Sequence, residues 1–385
     1  MEYQRLGEHI REVNVRNRDL AVTNLLGVSI SKVFMPSIAN TIGTDMSTYK
    51  IVKRGQFAYG PVTSRNGDKV SIALLDNFDD AIISQAYTVF EVIDTNKLLP
   101  EYLMMWFQRP EFDRYARYHS HGSAREIFDW REMCDVMLPV PSIEQQREIV
   151  AEYQTITNRI SLNQQMIQKL EATAQALYQK TFVTNIDKEN LPPGWRMGTL
   201  GEICNCFSGY PFDSENYSES NGIIALRGEN VTEQSLRWKT IKKYCGEITN
   251  QIDKCRLQEW DIVIGMDGSK VGKNWSFINQ YDLPLLLAQR VACLRSGALE
   301  KQFYTYMALK MEGFSDYVSR VNTGSTILHI SLLQIEEFPI PIPSKEQLKM
   351  INEQWIPILE RICLNKHQNE KLTELQSLLL AKMGQ

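Results

Sequence analysis

The feature that most restricts the fold of this 385-residue chain is an internal duplication. Gly122-Ser123 recurs as Gly324-Ser325, and residue 324 lies 202 positions after residue 122. Leu138-Pro-Val-Pro-Ser142 recurs at the same offset as Ile340-Pro-Ile-Pro-Ser344. Repeats with one long period indicate that a single structural unit has been copied. We therefore predict two similar globular units, each followed by a long helix.

The repeat begins near the start of the chain and accommodates insertions. Leu6-Gly7-Glu8 corresponds to Leu200-Gly201-Glu202 at an offset of 194 (200 against 6), and Gln85 corresponds to Gln289 at an offset of 204 (289 against 85). The offset then stays at 202 from residue 122 onwards. Length variation is therefore expected inside the globular units, while the junctions and helices remain in register.

Both long helices are predicted to begin at the same position of the repeat. Ser142-x-x-Gln145 and Ser344-x-x-Gln347 have the form of a capping box, in which the Ser hydroxyl accepts an early backbone N–H and the Gln side chain reaches back. Seam residues then follow at alternating steps of four and three, as in a coiled coil. The predicted seam comprises Ile149, Tyr153, Ile156, Ile160, Asn163, Ile167, Leu170, Ala174, Leu177 and Thr181 in the first helix and Ile351, Trp355, Ile358, Ile362, Asn365, Asn369, Leu372, Gln376, Leu379 and Met383 in the second.

Two narrow seams bury little surface alone, so the helices are expected to pack on one another as an antiparallel coiled coil. A helix of about 40 residues is about 60 Å long, which compares with about one to two turns of duplex DNA. Asn163 and Asn365 are equivalent, and they are expected either to fix the register as buried amides or to face solvent. Pro357 is expected to kink the second helix or to delay its regular part.

Composition sets broad limits on the class of protein. With 43% hydrophobic and 23% charged residues, the chain can bury two ordinary cores. Seven cysteines without a Cys-x-x-Cys pair or a signal peptide favour reduced intracellular thiols, and no apolar stretch reaches the about 20 residues of a membrane span. The net charge of −4 argues against general nucleic-acid binding, although basic residues cluster at 50–69 and 237–243. Solvated surface charge is the alternative interpretation of both clusters.

The repeated motifs resemble those of the specificity (S) subunits of type I restriction-modification systems. The resemblance covers the whole chain, and its carriers are residues 138–146, residues 340–347, the turn Thr323-Gly-Ser-Thr326 and the closing segment 375–384. It implies an α+β fold in which two mixed α/β target recognition domains, duplicated with pseudo-two-fold symmetry, are separated by an antiparallel coiled coil of two long helices. The predicted divisions are domain 1 at 1–142, the first helix at 143–182, a linker at 183–199, domain 2 at 200–344 and the second helix at 345–385.

The same resemblance implies a function in the cytoplasm of a bacterium or archaeon. Each domain would recognise half of a bipartite site in double-stranded DNA, and the coiled coil would set the spacing and dock two methyltransferase (M) subunits. Restriction (R) subunits would join through the M subunits. The chain itself would have no catalytic residues and no cofactor, since S-adenosylmethionine, ATP and Mg are expected on the partners. The alternative is a coiled-coil scaffold whose duplicated domains bind proteins and no DNA.

Candidate DNA-binding residues are polar or basic and lie on glycine-containing loops that could enter a groove. Any one of them could instead belong to an ordinary polar turn. His121-Gly-Ser-Ala-Arg125 departs from the Thr-Gly-Ser-Thr pattern, which puts the transfer of roles to residues 124 and 125 in doubt. The candidates are Lys53, Arg54, Tyr59, Thr63, Ser64, Arg65, Lys69, Arg117, His119, His121, Ser123 and Arg125 in domain 1, and Ser208, Tyr210, Ser269, Lys270, Lys273, Asn274, Asn322, Thr323, Ser325 and Thr326 in domain 2.

Motifs for enzyme chemistry fail on inspection. Gly268-Ser-Lys-Val-Gly272-Lys273-Asn274 has three residues between its glycines and an Asn after Lys, whereas a phosphate loop needs four residues and Ser or Thr. His119 and His121 have no third ligand at a suitable spacing for a metal. The sequence therefore predicts neither a catalytic site nor a metal site.

Overall fold

A computed structural model describes residues 3–37, 43–64, 66–67, 69–122, 125–184, 186–187, 189–323 and 328–384. The chain forms two compact units. The first unit comprises Met1–Leu162 and Asn369–Gln385, and the second comprises Asn163–Gln368.

The first unit combines short strands with three short helices and parts of two long ones. Its strands are β1 Tyr3–Arg5, β2 Ile10–Val13, β3 Leu26–Val28, β4 Phe34–Pro36, β5 Lys50–Lys53, β6 Phe57–Tyr59, β7 Ile72–Leu74, β8 Asp80–Ile83, β9 Thr88–Val92 and β10 Met137–Pro139. Its short helices are α1 Pro100–Gln108, α2 Pro110–Tyr118 and α3 Trp130–Cys134. The long helix α4, Ile143–Tyr178, begins in this unit and ends, with a π-helical turn at Gln179–Val183, in the second.

The second unit repeats this composition. Its strands are β11 Arg196–Thr199, β12 Asn205–Ser208, β13 Tyr217–Ser218, β14 Ile223–Leu226, β15 Val231–Thr232, β16 Ser235–Leu236, β17 Lys243–Tyr244, β18 Ile262–Gly265, β19 Trp275–Phe277, β20 Leu285–Leu287, β21 Val291–Arg295 and β22 Pro339–Ile342. Its short helices are α5 Leu200–Ile203, α6 Asn250–Asp253, α7 Leu299–Met311, α8 Phe314–Val321 and α9 Leu332–Glu336. The long helix α10, Lys345–Lys382, begins here and ends in the first unit.

The duplication is visible in the sheets. The first unit has a four-stranded antiparallel sheet in the order β2-β9-β6-β7, and the second has one in the order β12-β21-β18-β19. Phe57 pairs with Phe90 in the first sheet, and Ile262 pairs with Leu294 in the second. All four side chains are buried in the core on the helix-covered face of their sheet. The predicted α+β class with two duplicated mixed domains is confirmed.

The start of each repeat pairs with the proline-rich junction before each long helix. Strand β1 runs antiparallel to β10, and β11 runs antiparallel to β22. Each pair forms a sheet of two strands, in which a proline that cannot donate a hydrogen bond is tolerated. The prolines are therefore compatible with the extended conformation of both junctions.

The Ser part of each predicted capping box is present, whereas the Gln part of the second box is not. Ser142 Oγ accepts the backbone N–H of Gln145, and Ser344 Oγ accepts that of Gln347, each at 3.3 Å. The Gln347 side chain does not complete the predicted box, because its Oε1 accepts from the Ser344 hydroxyl at 3.2 Å and from the Trp195 indole. In the first unit, the junction before α4 is fixed by Gln146, the residue after Gln145, whose side chain is fully buried. Its amide accepts from Leu99 N and donates to Lys97 O, each at 2.8 Å.

The long helices pair antiparallel within each unit. In the first unit, Gln376 Nε2 donates to Thr157 Oγ1 at 2.7 Å, and Asn369 Nδ2 donates to Ile160 O at 3.5 Å. In the second unit, the rings of Tyr178 and Trp355 stack with centroids 6.1 Å apart. Later positions of α4 thus meet earlier positions of α10, which is the order that antiparallel helices require.

Burial on the helices is wider than a two-position seam. Every predicted seam residue is buried or half-buried. A second buried strip, which the sequence analysis missed, packs against the globular cores and contains Val150 and Leu380 in the first unit and Tyr178, Leu348 and Leu359 in the second. The predicted narrow stripe is therefore one edge of a broader apolar face.

The two seam asparagines do not face solvent. Asn163 is 4% exposed and its Nδ2 donates to Gln368 Oε1 at 3.4 Å, and Asn365 is 1% exposed. Pro357 does not delay the helix, because α10 runs from residue 345 through it to residue 382. The alternatives of solvent-facing asparagines and a late helix start are therefore both wrong.

Candidate nucleic-acid interface

Two distant loops are joined edge to edge in the first unit. Phe128 N donates to Pro61 O at 2.8 Å, and Thr63 N donates to Glu126 O at 3.0 Å. Arg117 adds a side-chain link, since its Nη1 lies 3.1 Å from Gly67 O and 3.3 Å from Glu126 Oε2. We call the described residues of 60–69 and 119–128, together with Arg117, the loop face of the first unit.

The second unit repeats this frame bond for bond. Ile330 N donates to Met266 O at 2.9 Å, and Gly268 N donates to Leu328 O at 3.0 Å. The paired hairpin positions also correspond, since His121 bridges Ile127 in the first unit and Thr323 bridges His329 in the second. Residues 265–274 and the described residues of 322–329 therefore form the equivalent loop pair.

A third predicted loop, 208–212, adjoins this pair in the second unit. Gly209 N donates to Val291 O at 3.1 Å, and Gln289 N donates to Tyr210 O at 2.9 Å. A Cβ on Gly209 would lie 2.3 Å from Ala288 O, so this close backbone approach requires glycine. We call residues 208–212, 265–274, 287–290 and the described residues of 322–329 the loop face of the second unit.

Several candidates of the first unit have structural positions instead of exposed ones. Tyr59 is fully buried and packs on Phe90, and burial raises the pKa of its phenol far above the usual value. It is a core residue, because it occupies an inward position of β6. Thr63 is 2% exposed and donates its hydroxyl to Ser120 Oγ at 2.9 Å, so it holds the loop together. Both side chains are therefore part of the framework of the unit, and DNA contact at these two positions stays a prediction.

The other candidates of the first unit are accessible. Ser64, Lys69, Arg117 and Arg125 are exposed on the loop face, and Arg125 also lines a cleft of about 330 Å³. His119 Nδ1 and His121 Nε2 lie 3.0 and 3.7 Å from the Glu132 carboxylate. Lys53 and Arg54 lie apart from this hydrogen-bonded frame. Lys53 is the last residue of β5, and Arg54 lies in the turn after it, where its Nη2 is 3.0 Å from Asp79 Oδ1. The predicted Arg65 and Ser123 are outside the described residues.

In the second unit most candidates lie on the loop face. Ser208, Ser269, Lys273 and Thr323 are exposed, and Lys270 Nζ lies 3.2 Å from Glu233 Oε1. Three others are less accessible: Tyr210 packs on Phe212, Asn322 Nδ2 donates to Val318 O at 2.9 Å, and Asn274 has a buried Oδ1. The predicted Ser325 and Thr326 are outside the described residues.

A charged cluster at the centre of this loop face was missed. The Asp267 carboxylate contacts His329 Nδ1 and lies 3.3 Å from Arg290 Nη1. Each side chain is accessible, with exposures of 30% for Asp267, 33% for His329 and 64% for Arg290. The sequence held one signal, since Arg290 follows the repeated Gln289, but nothing in the sequence places these three residues together.

The described residues lack a metal centre and a membrane-spanning helix. They contain no group of three or more His, Cys, Asp or Glu side chains arranged to hold a metal ion. Within them, no helix has both the length and the apolar character needed to cross a membrane. All seven cysteines are described, and they are free thiols. What the described part offers is therefore two related polar loop faces.

The fold and these loop faces define a duplicated α+β protein with paired long helices, the class to which DNA specificity subunits belong. A family profile described as the type I restriction modification DNA specificity domain matches residues 38–172 and 192–376. The chain thus belongs to the family of type I restriction-modification specificity subunits. The prediction made from the repeated motifs is confirmed. By its family the chain is a non-catalytic subunit.

Individual relatives agree with this assignment. The chain is 21% identical to the MjaVIII specificity subunit of Methanocaldococcus jannaschii, over 76% of this chain and 71% of that one. It is 19% identical to the HindI specificity subunit of Haemophilus influenzae, over 98% and 97%. The crystal structure of a type I S subunit from M. genitalium matches 100% of this chain and 96% of its own with a TM-score of 0.67 at 14% identity, which shows the shared fold.

Proposed function

We propose that each globular unit binds one half of a bipartite site in duplex DNA through its loop face. The proposal includes the long helices as the part that sets the spacing of the half-sites and docks two M subunits, through which R subunits join. S-adenosylmethionine, ATP and Mg would be bound by those partners, which supply the methylation and cleavage chemistry. The proposed setting is the cytoplasm of a bacterium or archaeon.

The observation that carries the proposal is one backbone frame with two sets of side chains. The hydrogen bonds from Phe128 to Pro61 and from Ile330 to Met266 join equivalent loops, yet the exposed residues on those loops differ between the units. A conserved frame with exchanged side chains is expected of modules that bind the same kind of ligand with different sequences. Duplex DNA has this property, because its backbone is uniform and its base edges vary.

Local charge supports phosphate contact despite the acidic total. Exposed basic residues lie on or beside each loop face: Lys69, Arg117 and Arg125 in the first unit, and Lys273 and Arg320 in the second. Lys and Arg side chains beside a binding loop fix the orientation of a protein on DNA through charge-assisted hydrogen bonds to phosphate oxygens. The net charge of −4 would then be carried elsewhere on the chain.

Salt dependence separates DNA binding from a scaffold that binds only proteins. For the chain assembled with methyltransferase subunits, we expect log K for a cognate duplex to fall linearly with log salt, by about 0.9 per phosphate neutralised. Lys273→Gln should reduce the slope by about 1. The matched control is Lys254→Gln, since Lys254 is exposed at the end of α6, outside the loop face and the long helices, and should leave the slope unchanged. A flat salt response of the unaltered complex, or no duplex binding, would favour the scaffold.

A further inference from the structure

At one set of equivalent positions the two loop faces carry opposite chemistry. Val62 bridges Ile127 in the first unit, and Asp267 bridges His329 in the second. Since Gln85 corresponds to Gln289, the next residues, Ala86 and Arg290, also correspond. Each trio lies where two loops of the frame meet. The first trio is apolar, whereas the second consists entirely of ionisable residues.

In the charged trio, the Arg290 guanidinium contacts the Asp267 carboxylate through one nitrogen, Nη1. Arg290 Nη1 lies 3.3 Å from Asp267 Oδ2 and 3.5 Å from Asp267 Oδ1. Within the described part of the chain, Arg290 Nη2 and Nε make no hydrogen bond. Asp267 is itself fixed by His329 Nδ1. The guanidinium is thus oriented by an anchored carboxylate while two of its nitrogens, on a side chain that is 64% exposed, remain available for a ligand.

The backbone at Arg290 is also unusual. Its φ of +66° lies in the left-handed region, which costs a residue with a Cβ free energy. The neighbouring chain is pinned in this conformation, because Gln289 N donates to Tyr210 O at 2.9 Å and Met266 N donates to Arg290 O at 3.0 Å. Strained conformations that the surroundings enforce are typical of residues whose side chains must point at a ligand.

We propose that Arg290 reads a guanine in the half-site of the second unit, with Asp267 and His329 as positioning residues. Arg pairs with guanine O6 and N7 through two nitrogens of its fork, which is the contact that a guanidinium held by one edge can make. In the first unit the equivalent position holds the 41% exposed Ile127, which bridges Val62, so that surface lacks an Arg for such a contact. The inference rests on the proposed function.

Substitution of Arg290 tests the assignment at single-base resolution. The complex with methyltransferase subunits is titrated with duplexes in which each base pair of the site is changed singly. Arg290→Ala, which introduces the residue that the first unit has at this position, is expected to weaken cognate binding by about 5- to 150-fold. The loss of preference should be confined to one G·C position of one half-site. The other half-site should show an unchanged profile.

Two further variants keep the test decisive if Arg290→Ala folds poorly. Arg290→Lys keeps the charge but loses the fork, so it should relax discrimination at the same position with a smaller loss of affinity. Asp267→Asn should also lower the discrimination at that position. The double variant Asp267→Asn/Arg290→Ala should lose little more discrimination than Arg290→Ala alone. Arg320→Ala removes an exposed Arg that is proposed to contact phosphate, so it should weaken binding about equally on all duplexes and leave the base preference unchanged.

The outcomes are distinguishable. Equal weakening on all duplexes by Arg290→Ala and Arg290→Lys would show a phosphate contact and overturn the assignment, as would no change. A preference of the unaltered complex for A·T at the position affected by Arg290→Ala would also overturn the assignment. Failure of the unaltered complex to bind any duplex in a salt-dependent manner would instead refute the proposed function.

Discussion

Trp355→Ala is expected to lower the free energy of unfolding of the full chain by about 3–5 kcal/mol, the largest loss of any single truncation considered for this chain. The indole is fully buried between α4 and the core of the second unit, with Tyr178 stacked at 6.1 Å and Phe182 tilted at 5.8 Å. Removal of the ring would leave a cavity lined by rigid aromatic side chains that cannot collapse into it. Urea unfolding followed by circular dichroism measures the loss.

Two control variants isolate the packing effect of Trp355. Trp355→Phe keeps an aromatic ring and removes an indole N–H that has no hydrogen-bond partner among the described residues, so its cost should stay below about 1.5 kcal/mol. Leu378→Ala on the same helix truncates a side chain that is 65% exposed and should change the stability by about 0.5 kcal/mol or less. A Trp355→Ala variant as stable as Leu378→Ala would contradict the packing described for α10.

Asp261→Asn is expected to destabilise the chain by about 3 kcal/mol through a nearly buried ion pair. Asp261 is 2% exposed, and its two carboxylate oxygens accept from Arg295 Nε at 2.7 Å and Arg295 Nη2 at 2.6 Å. The hydrogen bonds to Asp261 raise the pKa of Arg295. Without that partner the guanidinium still stays charged, because the ordinary pKa of arginine lies far above neutral pH. Because the Arg295 side chain keeps 25% exposure, the expected cost lies at the lower end for buried pairs.

A surface pair in the same unit is the control for Asp261. Asp253 lies 2.6 Å from Arg256, with side-chain exposures of 60% and 40%. Asp253→Asn should therefore cost about 0.5 kcal/mol or less in the same urea titration. Equal effects of the two substitutions would show that burial does not strengthen the Asp261–Arg295 pair.

The parts of the fold that were predictable depend on local sequence order. The starts of the long helices could be predicted from Ser142 and Ser344, because a hydroxyl that accepts an early backbone N–H is a local signal in the sequence. The Pro junctions and the glycine-containing loops repeat at fixed offsets, so their positions could be inferred from one another. Duplication thus acts as an internal alignment, in which each copy supports the interpretation of the other.

The parts that were not predictable depend on contacts between distant residues. Tyr59 was assigned to a loop because a Gly-Pro pair follows it, but the inward face of β6 buries it. Gln347 meets Trp195, 152 residues earlier, which diverts its side chain from the expected cap. Arg290, Asp267 and His329 meet through three separate segments. Such contacts follow from the tertiary fold, and no periodicity or spacing announces them.

The most direct test of the account replaces residues 200–344 with the corresponding domain of another family member and maps the methylated sites in a genome that carries the assembled complex. If each globular unit reads its own half-site, the half assigned to the second unit should change completely. The half assigned to the first unit should stay the same. A change in both halves, or in neither, would contradict the claim that the two units recognise DNA independently.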